Sequence, residues 1–391
     1  MTVLSRGPSA LEAWQAAAHE FGSRARETEQ LGRLADETAA RLKELGVPRM
    51  LLPRRWGGEE RDLQEVLDMA VTLARGCMSS AWCAAIWAEH PWVLCHFDER
   101  FQAEVWRDGP DEIVCMAIMG ASTIREAKGG YEVEGQWRFV SGCDHASWFL
   151  FIGGWEAVDG QEPRPRLFAF PRQDVAIDHD SWNVAGLRGT GSKTVSVSRT
   201  FVPEHRVLDL AQRPGPGITP DMPPLFHQPI PATLGHALAA VSVGGAEAAF
   251  DLFLENTRLR VLRPTGTVQA ADPSAHLDVA DAIARIDSAK LLLRHNADVA
   301  RASGRPEGEL PATEMAKLRM YKGHIVREAV AAVDRLFAAS GGGALQETNP
   351  LQRIWRDVHA VQAHAGLTWA NGARNYGALA VGLPPTNKQL F

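Results

Sequence analysis

The sequence lacks the charge and hydropathy features that mark nucleic-acid-binding, membrane or secreted proteins. Its 391 residues carry 47 acidic and 41 basic side chains, a net charge of -6, whereas general nucleic-acid binding requires a basic face. No apolar run approaches membrane-spanning length, and residues 1–18 have neither a basic start with an apolar block nor a cleavage-like end. We therefore expect a cytoplasmic protein that binds no nucleic acid and no membrane.

Common metal and nucleotide signatures are also missing. The five cysteines form an odd-numbered set without a CxxC pair, which argues against a disulfide framework and against a zinc site. No GxGxxG follows a strand-like run and no P-loop pattern occurs, so NADH binding is not expected. His359 and His364 lie five residues apart and would not share a helix face, so they predict no metal site.

Tyrosine is scarce, with three residues, whereas tryptophan is abundant, with twelve. Many tryptophans fall within residues 82–106 and 137–182, which predicts an aromatic-lined cavity between the first two thirds of the chain. Core packing explains some of them equally well. The length and the 45% hydrophobic content predict two or three packed subdomains.

Hydrophobic periodicity divides the chain into three domains and a linker. Helical patterns predominate over residues 1–108, alternation typical of strands over 109–208, and long helical patterns over 232–391. Short connections favour antiparallel strand pairing, and the seven prolines of 209–231 predict a linker draped over the surface. The predicted fold is α+β and mostly α, with an N-terminal helical domain, a central antiparallel β-barrel and a C-terminal four-helix bundle.

The stretch from Tyr131 to Trp148 carries the first indication of a cofactor site. Two alternating runs, Tyr131–Val133 and Trp137–Ser141, flank Glu134 and Gly135, a pair that predicts a tight hairpin turn. The second run ends at Ser141, where a hydroxyl follows two aromatic side chains. Aromatics can face a planar ring and a hydroxyl can bond its rim, but an ordinary amphipathic hairpin fits the same residues.

Two helix predictions concern the remaining candidates. A helix over Ser79–Ala88, capped by one of its first two serines, is expected to end beside His90. A single long helix is expected from Leu351 to about Tyr376, with His364 beside its apolar stripe.

Four motifs occur in order along the chain: Ser79–Trp82 with His90, Trp137–Trp148, Trp182–Ser192 followed by Phe201–Glu204, and Pro350–His364. Together they resemble the oxygenase components of two-component flavin monooxygenases of the group D type. The resemblance covers nearly the whole chain and implies an acyl-CoA dehydrogenase-like fold.

The resemblance implies a flavin-dependent monooxygenase. A separate NAD(P)H:flavin reductase would supply FADH2 or FMNH2, which would react with O2 to a C4a-hydroperoxide and hydroxylate a phenol- or indole-like substrate. A homotetramer or homodimer is implied as well. Two alternatives stay open: an acyl-CoA dehydrogenase-type FAD oxidoreductase, and a non-catalytic descendant that binds an aromatic ligand.

A missing carboxylate argues against the dehydrogenase. Acyl-CoA dehydrogenation needs a carboxylate base, which related enzymes carry either in the final helical region or early in the first bundle helix. No acidic residue follows Asp357, and none occurs from Ala232 up to Glu247.

By resemblance, His364 and Ser141 are the catalytic candidates. His364 would lie beside the flavin and the substrate and manage a proton, which suits a side chain that titrates near neutrality. Ser141 would bond flavin N5. A hydrogen-bonded core histidine and a strand-end serine are the structural alternatives.

The resemblance also implies binding residues, each with a packing or surface role as its alternative. Those on the substrate side are Trp82, His90 and Met116, and those on the flavin side are Ser141, Trp148, Arg188, Thr190, Ser192, Arg258 and Trp369. The chain departs from the family at Ala370, where an acid is usual.

Overall fold

The N-terminal part of the chain is helical. A computed structural model describes residues 9–154, 165–264 and 266–386. The N-terminal helices are α1 (Ala10–Ser23), α2 (Ala25–Leu31), α3 (Asp36–Glu44), α4 (Leu63–Ala74), α5 (Met78–Leu94) and α6 (Glu99–Val105). Every residue of α5 is buried, which makes this helix the centre of the N-terminal core.

The bounds predicted for α5 are wrong at both ends. Cys77 precedes the helix without a side-chain cap, and Ser79 and Ser80 lie inside it. The helix also continues through Pro91 to Leu94 instead of ending before His90. Burial on all sides stabilises this helix, and tertiary packing outweighs the local preference of proline for a helix end.

Two four-stranded sheets form the central domain within the described residues. Their strands are β1 (Val114–Ala117), β2 (Gly120–Ala127), β3 (Gly130–Val140), β4 (Trp148–Gly153), β5 (Arg166–Pro171), β6 (Ala176–Asp178), β7 (Lys193–Pro203) and β8 (Val207–Asp209). The strand orders are β1-β4-β5-β8 and β2-β3-β7-β6. Trp137 fills the space between the sheets: its ring stacks on Phe151 at 4.4 Å and its Nε1 donates to the Ile152 carbonyl.

The predicted hairpin turn at Glu134 and Gly135 is wrong, because both residues lie inside the continuous strand β3. The turn comes earlier, at Lys128 and Gly129, and pairs β3 with β2, a strand that was not predicted. Gly129 adopts a left-handed backbone with φ 81°, which glycine allows without strain. A register shift between β3 and β7 occurs at Val133–Gly135, so the Glu-Gly pair marks a strand irregularity.

The expectation of purely antiparallel pairing is wrong for one pair of strands. β1 and β4 are parallel, with Val114 opposite Trp148. Between them the chain forms the β2–β3 hairpin of the other sheet, which provides the crossover that parallel neighbours require. The other pairs within the two sheets are antiparallel in the described residues.

The C-terminal part is a helical bundle. Its elements are α7 (Pro224–His227), α8 (Ile230–Thr233), α9 (His236–Leu259), β9 (Val261–Leu262), β10 (Thr267–Val268), α10 (Pro273–Ser303), α11 (Ala312–Ala339), α12 (Pro350–Gln362) and α13 (Trp369–Ala380). The predicted single helix from Leu351 to Tyr376 is wrong, because the chain breaks between α12 and α13. The predicted α+β, mostly helical fold is confirmed. The domain limits near residues 108, 208 and 231 remain our proposal.

Residues 209–231, called the strap below, are not merely draped over the surface. Leu225 and Phe226 are buried, and the Leu225 carbonyl accepts a hydrogen bond from Trp92 Nε1 of α5. The segment Ile230–Leu259 that follows is apolar and long enough to span a membrane, contrary to the expectation from sequence. Because 67% of its apolar window is buried inside the fold, its composition is that of a core helix of the bundle.

Helix α9 is held tightly against the N-terminal domain. A Cβ on Gly244 would lie 2.2 Å from the Val71 carbonyl oxygen of α4, so the two helices approach at a position where only glycine fits. At the start of α9, the Glu89 carboxylate of α5 accepts hydrogen bonds from the backbone N–H groups of Gly235 and Ala237. A buried acid of one domain therefore caps the first helix of another.

Burial raises the pKa of the Glu89 carboxyl from 4.5 to about 7, although the two backbone N–H groups and Lys322 favour its charge. Because the folded-state pKa exceeds the unfolded-state value, the stability that this group contributes is largest below pH 4.5 and declines as the pH rises towards 7. Glu89→Gln has no titrating carboxyl, so its stability lacks this decline with pH. Its side-chain amide, however, offers only one acceptor oxygen instead of two. We expect the stability deficit of Glu89→Gln to shrink between pH 5 and pH 8 in urea unfolding.

Glu89→Ala removes both acceptors, and we expect it to lower the free energy of unfolding at pH 5 by about 2–4 kcal/mol. The exposed Glu126→Gln is the control. Identical pH profiles for the wild type and Glu89→Gln would contradict a buried, titrating carboxyl.

Candidate active site

A cavity of about 1250 Å³ lies where the three parts of the chain meet. Its walls come from α5, the ends of β1 and β3, the loop 182–192, the strap, α11 and the end of α12. Single ligand pockets usually measure about 300–1,000 Å³, so this cavity can hold a large planar group together with a second molecule.

A chain of buried hydroxyl groups forms one wall. Trp82 Nε1 donates to Ser141 Oγ at 3.0 Å, and Ser141 Oγ lies 2.6 Å from Ser192 Oγ. Ser192 Oγ lies 2.6 Å from Thr190 Oγ1, which donates to the Leu187 carbonyl. Because Trp82 can only donate and the Leu187 carbonyl can only accept, the protons along this chain have fixed directions.

His364 lies in the break after α12, not within a helix as expected. Its ring packs edge-on against Trp82, with centroids 5.4 Å apart. Burial, reinforced by the nearby charges of Arg319 and Lys322, lowers the His364 pKa from 6.5 to about 4. The backbone N–H of Gly366 donates to Nδ1, so the neutral ring carries its proton on Nε2. His364 is therefore a neutral hydrogen-bond donor at pH 7, not the group titrating near neutrality that its residue type suggested.

His90 and Met116 face the same cavity from α5 and β1. His90 Nδ1 donates to the Val114 carbonyl at 3.1 Å, which leaves Nε2 as the acceptor. Burial lowers the His90 pKa to about 4, so this ring is neutral as well. A neutral acceptor beside an apolar Met side chain suits the hydroxyl edge of an aromatic ring.

A strained aromatic residue faces the cavity from the sheet. Phe139 has φ 64°, a left-handed conformation that costs a residue with a Cβ about 1–2 kcal/mol. It lies at a register shift of β3, and its half-exposed ring packs edge-on against Trp182. Such bulges redirect a side chain, and strain of this kind is concentrated at functional sites.

The loop 182–192 is fastened to α12. The buried Asp357 carboxylate accepts a hydrogen bond from the Leu187 backbone N–H at 2.6 Å, and the Arg356 guanidinium donates to the Ala185 carbonyl. A Cβ on Gly186 would lie 2.1 Å from the Arg356 carbonyl oxygen, so loop and helix backbones are in direct contact. The hydroxyl chain and α12 therefore keep a fixed spacing across the cavity.

The structure brings some of the sequence candidates together and leaves others apart. Ser141, Trp82, His90, Met116, Ser192 and His364 line the cavity, and Thr190 joins it through the hydroxyl chain. The residues that lie outside its lining, within the described chain, are Trp148, Arg188, Arg258 and Trp369.

Each of these four has other surroundings. Trp148 packs between Phe101 and the Arg206 guanidinium, and Arg188 and Arg258 are exposed. Arg327 covers the Trp369 ring at 4.4 Å. Across the described residues, no cluster of three or more His, Cys, Asp or Glu side chains could hold a metal ion.

Comparisons with known proteins identify the family of this chain. Residues 236–369 match the family described as acyl-CoA dehydrogenase, C-terminal domain. The oxygenase subunit HsaA, a flavin-dependent monooxygenase of Rhodococcus jostii, is 36% identical over 370 residues, which cover 93% of this chain and 96% of HsaA. The chain belongs to the oxygenase components of two-component flavin-dependent monooxygenases.

Two further relatives support the assignment to these oxygenases. The oxygenase component of an FADH2-dependent resorcinol hydroxylase from a Rhizobium species is 33% identical, with 93% of this chain and 92% of that protein covered. The crystal structure of 3-HSA hydroxylase from Rhodococcus sp. RHA1 superposes with a TM-score of 0.91 at 33% identity, covering 97% and 98% of the two chains.

Sequence reasoning missed charged residues of the oxygenase cavity, among them Glu89, Arg319 and Lys322. The signals were present, since Glu89 interrupts an apolar run and Lys322 falls on the buried stripe of α11 between Leu318 and Ile325. Glu89 also shows that the cavity does contain a carboxyl group. Each of its oxygens, however, accepts a hydrogen bond from the start of α9, which fixes the orientation of the carboxyl group.

The link between Asp357 and the loop leads to a prediction. Asp357→Ala leaves the buried Leu187 N–H without its acceptor, so we expect a loss of about 1–3 kcal/mol in the free energy of unfolding and weaker flavin binding. Asp357→Asn keeps an acceptor oxygen and should retain both properties. Urea unfolding and anaerobic titration with reduced flavin measure the two effects. Equal losses in both variants would show that the charge, not the acceptor, holds the loop.

Proposed function

We propose that the enzyme uses O2 and reduced flavin, FADH2 or FMNH2 supplied by a separate reductase, to hydroxylate a small phenol- or indole-like substrate. The observation that carries the proposal is the convergence of His364, Ser141, Trp82 and His90 on one large cavity. The names of the resorcinol hydroxylase and of HsaA agree with it.

The cavity wall fits a flavin ring. Phe139 presents a strained, half-exposed aromatic face, and Ser141 and Ser192 place hydroxyl groups at the end of the same strand and on the adjacent loop. A planar apolar ring system with polar edges matches this combination. Phe139, Ser141 and Ser192 would hold the ring, and the backbone of residues 184–187 would border its rim.

When bound, reduced flavin supplies the two electrons that activate O2. The protein holds protons at defined atoms around it: Nε2 of His364 donates, and the Ser141 hydroxyl belongs to a chain whose end points are fixed. Trp82, Ile86 and Leu238 exclude water from the same wall, which limits side reactions. On the substrate side, His90 Nε2 would accept a hydrogen bond from the ring hydroxyl.

The candidate residues outside the cavity lining are considered in the context of an oligomer. We propose a cytoplasmic homotetramer or homodimer, supported by the exposed leucines Leu259, Leu277 and Leu291 on α9 and α10. In such an assembly the exposed Arg258 would reach the flavin phosphates of a neighbouring subunit, and Arg188, Trp148 and Trp369 would act away from the reacting atoms. We also propose that the chain is divided as predicted from sequence, into residues 1–108, 109–208, 209–231 and 232–391.

Transfer of one oxygen atom from O2 tests the proposal. The protein is mixed anaerobically with FADH2 or FMNH2 and with resorcinol or 4-hydroxyphenylacetate, then exposed to 18O2, and products are analysed by mass spectrometry. We expect a product that gains one labelled oxygen atom, with one flavin preferred. Flavin oxidation kinetics identical to those without protein, and no labelled product across a panel of phenols and indoles, would refute it.

Ser141→Ala tests the hydroxyl chain. The substitution leaves Trp82 Nε1 without its acceptor and interrupts the chain of buried hydroxyl groups. We expect about tenfold less product per flavin oxidised, with the balance appearing as hydrogen peroxide. Ser147→Ala is the matched control, since this serine bonds the Ile113 carbonyl away from the cavity. Unchanged peroxide release in Ser141→Ala would remove Ser141 from the reaction.

A further inference from the structure

Three buried thiols, called the thiol layer below, lie behind the hydroxyl chain. Cys83, Cys115 and Cys143 are fully buried, and none of them belongs to the cavity lining formed by the described residues. They come from three separate parts of the fold: α5, β1 and the turn after β3. Small buried cysteines often serve only as packing, so their hydrogen bonds decide whether they do more.

Each thiol donates to a backbone carbonyl that belongs to the hydroxyl chain or lies next to it. The pairs are Cys115 Sγ to the Ser141 carbonyl at 3.1 Å, Cys143 Sγ to the Gly191 carbonyl at 3.5 Å and Cys83 Sγ to the Thr190 carbonyl at 3.7 Å. Ser141 and Thr190 also carry hydroxyl groups of the chain, and Gly191 precedes the third such residue, Ser192. One S–H···O contact is weak, but the same contact at three successive points is a repeated geometry.

These carbonyls lie in irregular backbone. Ser141 follows the last residue of β3, and Arg188–Thr190 is a single turn of 3-10 helix. Buried carbonyls outside the ladders of a sheet need donors from elsewhere. The Thr190 carbonyl accepts from the Gly142 backbone N–H at 2.8 Å as well as from Cys83, so it joins the two segments that carry the hydroxyl groups.

The thiols are protonated, as donors must be. Burial raises the pKa of Cys83 and of Cys115 well above 9.0 and raises the pKa of Cys143 to about 12. Because the thiolate is the reactive form of cysteine, protonated and buried thiols also resist oxidation by peroxide. Such donors suit the back of a site that handles O2.

We propose that the thiol layer is a set of positioning residues: its S–H groups hold the backbone behind the hydroxyl chain and so aim the Ser141 and Ser192 hydroxyls into the cavity. The inference rests on the proposed function, since the hydroxyl chain is the wall that would face the flavin. Trp82 holds Ser141 by its side chain, and Cys115 holds the same residue by its backbone. The thiols touch neither flavin nor substrate and act only through these carbonyls.

Substitution of the closest thiol tests the effect on the reaction. We expect Cys115→Ala to give about two- to fivefold less product per flavin oxidised, with the balance as hydrogen peroxide. Cys115→Ser keeps a donor of similar size and should restore the wild-type ratio. Cys95→Ala is the matched control, because Cys95 is equally buried but donates to the Pro91 carbonyl within α5.

A second measurement needs neither flavin nor O2. The indole N–H resonances of tryptophan-labelled protein are recorded by heteronuclear NMR, and Trp82→Phe identifies the resonance of Trp82. Its position reports the hydrogen bond from Nε1 to Ser141 Oγ. We expect Cys115→Ala and Cys83→Ala to shift this resonance, and Cys95→Ala and Cys115→Ser to leave it in place.

Two results would overturn the proposal: a Trp82 resonance and a product ratio that are both unchanged in Cys115→Ala, or equal changes in Cys115→Ala and Cys95→Ala. Thermal unfolding identifies a variant that does not fold, and Cys83→Ala then repeats the test at an independent contact. Absence of labelled product from the wild type would reject the proposed function. A Trp82 shift confined to variants of the thiol layer would still support its hold on the hydroxyl chain.

Discussion

The contact on which the site depends most is the Glu89 carboxylate at the start of α9. It joins the fully buried α5 to the first helix of the bundle, and α5 carries Trp82 and His90 along the cavity. The carboxylate is a costly group to bury, so it persists only with its acceptor positions filled by backbone N–H groups. The position of α5 relative to the bundle is therefore specified by a hydrogen-bonding requirement, with apolar packing added around it.

This contact also determines the electrostatics of the cavity. Burial lowers the pKa of Lys322 to about 7 and the Glu89 charge opposes this shift, while burial, reinforced by Arg319 and Lys322, keeps His364 neutral. A neutral imidazole whose Nδ1 accepts from Gly366 can only offer its Nε2 proton to the cavity. Burial and charge thereby assign His364 the role of a fixed donor, and the hydroxyl chain likewise holds its protons in fixed directions.

The sequence predicted the succession of helices, sheet and bundle because each part has a long, regular hydrophobic period. It could not predict local exceptions that tertiary contacts decide, such as the Glu-Gly pair inside β3 or the extension of α5 through Pro91. Ser141 and Ser192, which are in hydrogen-bonding contact, were identified because their residue types and their order along the chain match the motifs. Lys322 was missed because it lies on the buried stripe of α11, which hydrophobic periodicity assigns to the core. Only the structure shows that this part of the stripe lines the cavity.

The same arrangement explains why this version of the fold suits oxygen transfer better than acyl-CoA dehydrogenation. A dehydrogenase needs a carboxylate free to take a proton, and the buried Glu89 carboxyl of this cavity is held as a helix cap. An oxygenase needs no such base; it needs donors near the oxygen, exclusion of water and an electron-rich ring. In this cavity, neutral His364 offers its Nε2 proton and apolar residues surround Trp82. The arrangement of the cavity therefore supports the proposed oxygenation over acyl-CoA dehydrogenation.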